Sequence, residues 1–178
     1  MIRLFAAVAV PDHIGEGLLR RQQGLPGARW RPLESLHVTL RFFGNVSEDR
    51  ADDLAAELAV VNGGPFDVSL GGVGSLGAGA EIEAVWAGVE EDGALRRLAA
   101  RCETAARRAG LRADTRAYRP HVTLAYLSGA EPKRVAAWIQ GHNLLKSPPF
   151  RVSEFALYST WRTDHGSFYR LERVYPFG

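Results

Sequence analysis

Four residues occur twice in this chain, as His37-Val38-Thr39-Leu40 and as His121-Val122-Thr123-Leu124. The two copies lie nearly half of the 178 residues apart. That spacing predicts a molecule of two similar halves, each bringing one copy to a shared place. Each copy reads as a strand, in which side chains alternate between faces. His37 and Thr39 then share one face while Val38 and Leu40 turn into the core, and His121 and Thr123 do the same against Val122 and Leu124. Two such strands beside a common cleft would surround one small group with two imidazoles and two hydroxyls.

These residue types suit a phosphodiester. Imidazole titrates near a pKa of ~6.5, so near neutral pH one ring can accept a proton while its partner donates one. Threonine hydroxyls can donate hydrogen bonds to non-bridging phosphate oxygens and stabilise charge that develops there. The ordinary alternative, a half-buried strand histidine with no chemistry, fits a lone His-x-Thr better than a duplicated one, for only 5 histidines occur in the chain. The other three, His13, His142 and His165, lack the repeat and read as surface or turn residues. A metal site is disfavoured because no acidic residue or third histidine stands in comparable placement, and the single cysteine, Cys102, offers no thiolate cluster. No metal and no cofactor are therefore expected.

Phosphate or nucleotide contacts are sought next to the two copies. Strict alternation puts Arg41 on the face of His37 and Thr39, within reach of a phosphate; the other reading leaves it at a strand end in solvent. Arg116 and Arg119 precede the second copy and are alternative contacts. Phe43, Trp161 and Phe168 are candidates to stack on a base or to join the core. Gly72 to Gly77 match G-x-G-x-x-G, but a strand is expected after them where a dinucleotide site needs a helix. No P-loop signature is present.

Strands are expected at Ile2 to Val10, Leu36 to Phe43, Phe66 to Val73, Glu81 to Val89, His121 to Leu127, Phe150 to Ser159 and Ser167 to Tyr175. Helices are expected from Asp12 towards Gln23, after Ser47 as cap, from Asp92 to Ala109 and from Pro132 to Gln140. Gly24 to Pro32 reads as a turn-rich connection, and a glycine-rich loop separates the third and fourth strands. Adjacent strand pairs among interleaved helices favour an α+β class over a doubly wound parallel sheet. The 178 residues suit a single domain spanning 1–178, and no Ser/Gly-rich linker divides them. A net charge of +2 neither demands nor opposes an anionic partner. The Arg-rich outer face expected for the third helix is read as solvated. No apolar run approaches the ~20 residues that cross a bilayer. The start lacks a signal-peptide pattern, so a cytoplasmic protein with no membrane partner is expected.

On the paired tetrapeptides, the chain resembles the two-histidine phosphoesterase superfamily, and within it the bacterial and archaeal 2′-5′ RNA ligase family, also described as RNA 2′,3′-cyclic phosphodiesterases. The likeness runs from Arg3-Leu4-Phe5-Ala6-Ala7-Val8 through Leu36 to Val46, Val85-Trp86-Ala87-Gly88-Val89 and Pro120 to Leu124, to Phe155-Ala156-Leu157-Tyr158-Ser159 with Gly166 and Tyr169. The resemblance implies a two-lobed, pseudo-twofold fold with antiparallel sheets flanking a central cleft and helices outside. It implies water attack on a 2′,3′-cyclic phosphate RNA end to leave a 2′-phosphate, with His37 as proton donor and His121 as acceptor. The reverse reaction would join RNA ends through a 2′-5′ bond without ATP. Members often carry arginine where this chain has Tyr126, and a small residue where it has Arg41. The alternatives are a non-catalytic RNA-end binding module, or the same chemistry on linear 2′-5′ oligonucleotides or small cyclic nucleotides. A monomer is expected.

Overall fold

The computed structural model describes residues 1–178. Its strands are β1 (Ile2–Ala9), β2 (Arg29–Trp30), β3 (His37–Val46), β4 (Phe66–Leu76), β5 (Ala84–Glu90), β6 (His121–Tyr126), β7 (Phe150–Val152), β8 (Glu154–Thr163) and β9 (Gly166–Pro176); its helices are α1 (Asp12–Leu19), α2 (Glu48–Ala59), α3 (Gly93–Arg108) and α4 (Pro132–His142). The strands follow the order β7-β4-β5-β6-β3-β1-β8-β9, with β2 added beside β6. Every pairing is antiparallel. The two strands carrying the repeated tetrapeptide are neighbours at the middle of this path.

Those central strands meet through one registered pair, Val38 with Val122. On one side of the seam lie β3, β1, β8 and β9; on the other lie β6, β5, β4 and β7. The pseudo-twofold relation expected from the repeat thus runs through the Val38–Val122 contact. Both valines are fully buried, as are the second apolar residues of the copies, Leu40 and Leu124, at 3% exposure or less. They join a core cluster of 38 residues, to which α3 contributes Leu95, Leu98, Ala99, Cys102, Ala105 and Ala106. That spacing keeps one stripe of α3 against the sheet. Each fully buried aliphatic side chain is worth about 1.5–3 kcal/mol. Burial also raises the Cys102 thiol to about 12, so it stays protonated and unreactive.

Several boundaries differ from the sequence reading. The last long strand is two: the chain leaves β7, paired with β4, passes Ser153, and enters β8, paired with β1. A continuous run of strand-forming residues carries no mark of which neighbour each part will pair with, and here the neighbours belong to different halves. The Gly24 to Pro32 connection contains the short strand β2, paired with β6. The first helix ends at Leu19, short of Gln23, with Pro11 at its N-cap. Ser47 does hold the N-cap position of α2, but its side chain makes no capping hydrogen bond. The glycine-rich stretch is largely strand, since β4 runs on through Leu76, and Gly77 is followed by a single 3-10 turn, Gly79–Glu81, and then β5 rather than by an α-helix. Gly74 has a packing reason: a Cβ there would overlap the ring of Trp86, its partner across the pair.

Candidate active site

The antiparallel pair at Val38 and Val122 sets His37 across from Thr123 and Thr39 across from His121, all four on the face opposite the valines. Each of the four is half-buried. Imidazoles therefore occupy one diagonal of a four-cornered patch and hydroxyls the other. This is the arrangement that the repeat, folded about its own pseudo-axis, produces.

The two rings are held differently. His121 Nδ1 is 2.7 Å from the carbonyl oxygen of Arg119. A carbonyl only accepts, so Nδ1 carries the hydrogen, and Nε2 of the neutral ring is left as a proton acceptor. Behind it stands Trp86, 5.9 Å between ring centroids. His37 likewise hydrogen-bonds backbone, at Ser35. Its ring is packed among aromatics: stacked on Phe5 at 4.9 Å, edge-on to Tyr169 at 5.2 Å and parallel to Tyr158 at 6.2 Å. Loss of hydration in that packing lowers the His37 pKa to about 4, against the raising effect of the Ser35 bond and with smaller pushes from the nearby charges of Arg31 and His121.

Beyond the threonines, strict alternation fails on both strands. On β3, Ala7 pairs with Thr39 but Ala6 with Arg41, so Leu40 is an extra, bulged residue. On β6, Trp86 pairs with Thr123 but Val85 with Ala125, so Leu124 is bulged in the same way. Each bulge turns the next residue to the core side and returns the one after it to the histidine face. The residues delivered to the cleft are therefore Phe42, whose ring lies 5.7 Å from that of Phe5, and Tyr126.

This corrects two expectations. Arg41 does not face the phosphate position, nor does it sit in solvent. It is 8% exposed and points to the helix side, where Nε donates to Glu103 at 2.6 Å and Nη2 donates to the carbonyl of Arg112 at 2.6 Å. Phe43 is also turned inwards, 8% exposed and in the core cluster. Arg116 is exposed and grips Asp114 through Nε and Nη2, both at 3.1 Å. Arg119 is exposed, and its carbonyl anchors His121. Trp161 and Phe168 pair near the end of the β8–β9 hairpin and are 43% and 47% exposed, so neither is a core residue.

Arg31 was not singled out by its sequence context, yet its guanidinium reaches this face, 5.4 Å from the ring centre of Tyr126 and 5.1 Å from that of Tyr169. Only the pairing of β2 with β6 brings it there. The loop before His121 is tied to the first motif strand, because the Tyr118 hydroxyl donates to the carbonyl of Thr39 at 2.8 Å.

The family model described as the 2′-5′ RNA ligase superfamily matches residues 10–164. A protein of Archaeoglobus fulgidus named RNA 2′,3′-cyclic phosphodiesterase is 31% identical over 177 residues, covering 98% of this chain and 99% of that protein. One of the same name from Methanothermobacter thermautotrophicus is 28% identical over 181 residues, covering 98% of each. Among solved structures, E. coli LigT complexed with 3′-AMP shares the fold with a TM-score of 0.81 at 24% identity, covering 99% of this chain and 98% of that one.

Proposed function

The chain belongs to the 2′-5′ RNA ligase superfamily, and on that premise we propose that it hydrolyses 2′,3′-cyclic phosphate ends of RNA to 2′-phosphates by acid–base catalysis between His37 and His121. The observation that carries this reading is the single patch in which the two His-x-Thr copies meet across Val38 and Val122. Its near relatives that bear the name RNA 2′,3′-cyclic phosphodiesterase support the substrate class.

In this mechanism Nε2 of His121, left free by the Nδ1 bond to Arg119, takes a proton from the attacking water. The oxygen bonds to phosphorus as the bond to the ribose 3′-oxygen breaks. His37, protonated in the complex, gives its proton to that leaving oxygen. The products are a 2′-phosphate and a 3′-hydroxyl. Thr39 and Thr123 donate to the non-bridging oxygens, whose charge grows in the transition state. An imidazolium enclosed as His37 is gives up its proton readily, and a bound phosphate anion would offset the burial that otherwise keeps the ring neutral. With a 5′-hydroxyl of RNA attacking in place of water, the same steps form a 2′-5′ linkage and a 3′-hydroxyl without ATP. Both copies come from one chain, so a monomer holds the complete set.

The test is incubation with a nucleoside 2′,3′-cyclic phosphate and identification of the product by phosphorus NMR. A 2′-phosphate is expected, with His37→Ala and His121→Ala each lowering kcat by roughly 10²–10⁴-fold and EDTA leaving the rate unchanged. Binding of the cyclic nucleotide without turnover would instead favour an RNA-end binding module.

A further inference from the structure

The position of Arg31 points beyond the four repeated residues. We propose that Arg31 is the cation that binds the substrate's phosphate, presented to the cleft between Tyr126 and Tyr169. This deepens the phosphodiesterase reading and rests on it for the identity of the anion.

Three features carry the assignment. The first is a fixed backbone. The N–H of Arg31 donates to the carbonyl of Leu124 at 2.8 Å, the residue bulged out of the second motif, and Gln22 Nε2 donates to the carbonyls of both Arg31 at 2.9 Å and Leu124 at 3.2 Å. The bulge that turns Tyr126 to the cleft thus also docks Arg31.

The second is the side chain's setting. The guanidinium is flanked by two tyrosine rings, which favour a cation and steer its planar fork. Burial raises the Tyr169 phenol to about 12, so it remains a neutral wall. Nη2 of Arg31 is shut off from solvent and has no hydrogen-bond partner. A buried, unmet donor on a charged group is costly, and an anion in the cleft would satisfy it.

The third is that two of the three flanking arginines expected to serve are engaged elsewhere. Arg41 is spent on Glu103 behind the sheet, and Arg116 is clamped to Asp114. Arg31 stands near enough to His37 for its charge to oppose protonation of that ring. A phosphate held by the guanidinium would then stand beside the ring whose proton goes to the leaving 3′-oxygen.

The experiment compares wild type with Arg31→Gln and Arg31→Lys in three measurements: binding of inorganic phosphate by calorimetry, kinetics on a nucleoside 2′,3′-cyclic phosphate, and titration of His37 by NMR. Loss of charge-assisted hydrogen bonds predicts a 10- to 100-fold weaker phosphate affinity in Arg31→Gln. A comparable fall in kcat/KM is expected, with partial recovery in Arg31→Lys. The His37 pKa should rise in Arg31→Gln and return in Arg31→Lys, which a purely structural clamp on the tyrosines would not produce. Unchanged phosphate affinity and an unmoved His37 titration in Arg31→Gln would overturn the proposal, as would wild type that binds no phosphate. Wild type that binds phosphate through Arg31 yet turns over no cyclic phosphate would overturn the phosphodiesterase reading while leaving Arg31 as the anion site.

Discussion

His37 and His121 begin with the same side chain and end in unlike surroundings. His37 loses hydration to Phe5, Tyr158 and Tyr169, which is why its pKa falls to about 4. Between that value and the ~6.5 of an unfolded histidine, the unfolded chain binds more protons than the folded one. The contribution of this ring to stability is therefore full above pH ~6.5 and is lost as pH falls through the folded pKa, a difference of roughly 3 kcal/mol. Urea unfolding at pH 7 and pH 4.5, for wild type and His37→Phe, checks it: wild type should lose stability on acidification by more than the variant does. NMR titration adds a second readout, since inorganic phosphate should move the His37 pKa upwards. A ring that titrates near its ordinary value with the cleft empty would refute both expectations.

At the scale of elements, the paired bulges at Leu40 and Leu124 decide which side chains the cleft receives. They present Phe42 and Tyr126 and send Arg41 to the helix layer. There Arg41 links β3 to α3 through Glu103, while Glu103 Oε1 accepts the backbone N–H of Asp114 at 3.0 Å. The pair thus fastens the loop that leads to the second motif. Arg41→Met should cost about 2–3 kcal/mol, less than for a fully enclosed pair because Glu103 keeps 25% of its side-chain surface exposed. Thermal unfolding measures that loss. Since Arg41 faces away from the histidines, phosphate affinity should stay within a few-fold of wild type, the opposite pattern to Arg31→Gln. A large loss of phosphate affinity with unchanged stability would show that the guanidinium does reach the cleft.

For the whole molecule, the proposed mechanism means that neither half holds the full set of groups by itself. Each half brings one imidazole and one hydroxyl, and the halves meet centrally through the Val38–Val122 pair. Groups that act in one concerted proton transfer fail together, so their losses do not add. The double variant His37→Ala/His121→Ala should be about as slow as the worse single variant. Rates on a nucleoside 2′,3′-cyclic phosphate for the three proteins decide it, and multiplicative losses would mean that the two rings act in separate steps. No helix is long and apolar enough to cross a membrane.

The amino-acid sequence alone determined the local content of the site. The repeated tetrapeptide, alternating polar and apolar side chains, is enough to make two strands that bury Val38 and Val122 and present His37, Thr39, His121 and Thr123. That information is legible because strand alternation is a property of the backbone itself. What lies one residue further was not legible, because a bulge is a mismatch between two strands and depends on the partner as much as on the strand. Only the pairing of β3 with β1 and of β6 with β5 shows that Arg41 and Phe43 turn inwards. Only the distant contact of β2 with β6 brings Arg31 onto this face, between Tyr126 and Tyr169. The sequence determined which groups this face would offer in each half; tertiary pairing decided which charge would stand next to them, since no local rule links residue 31 to residue 126.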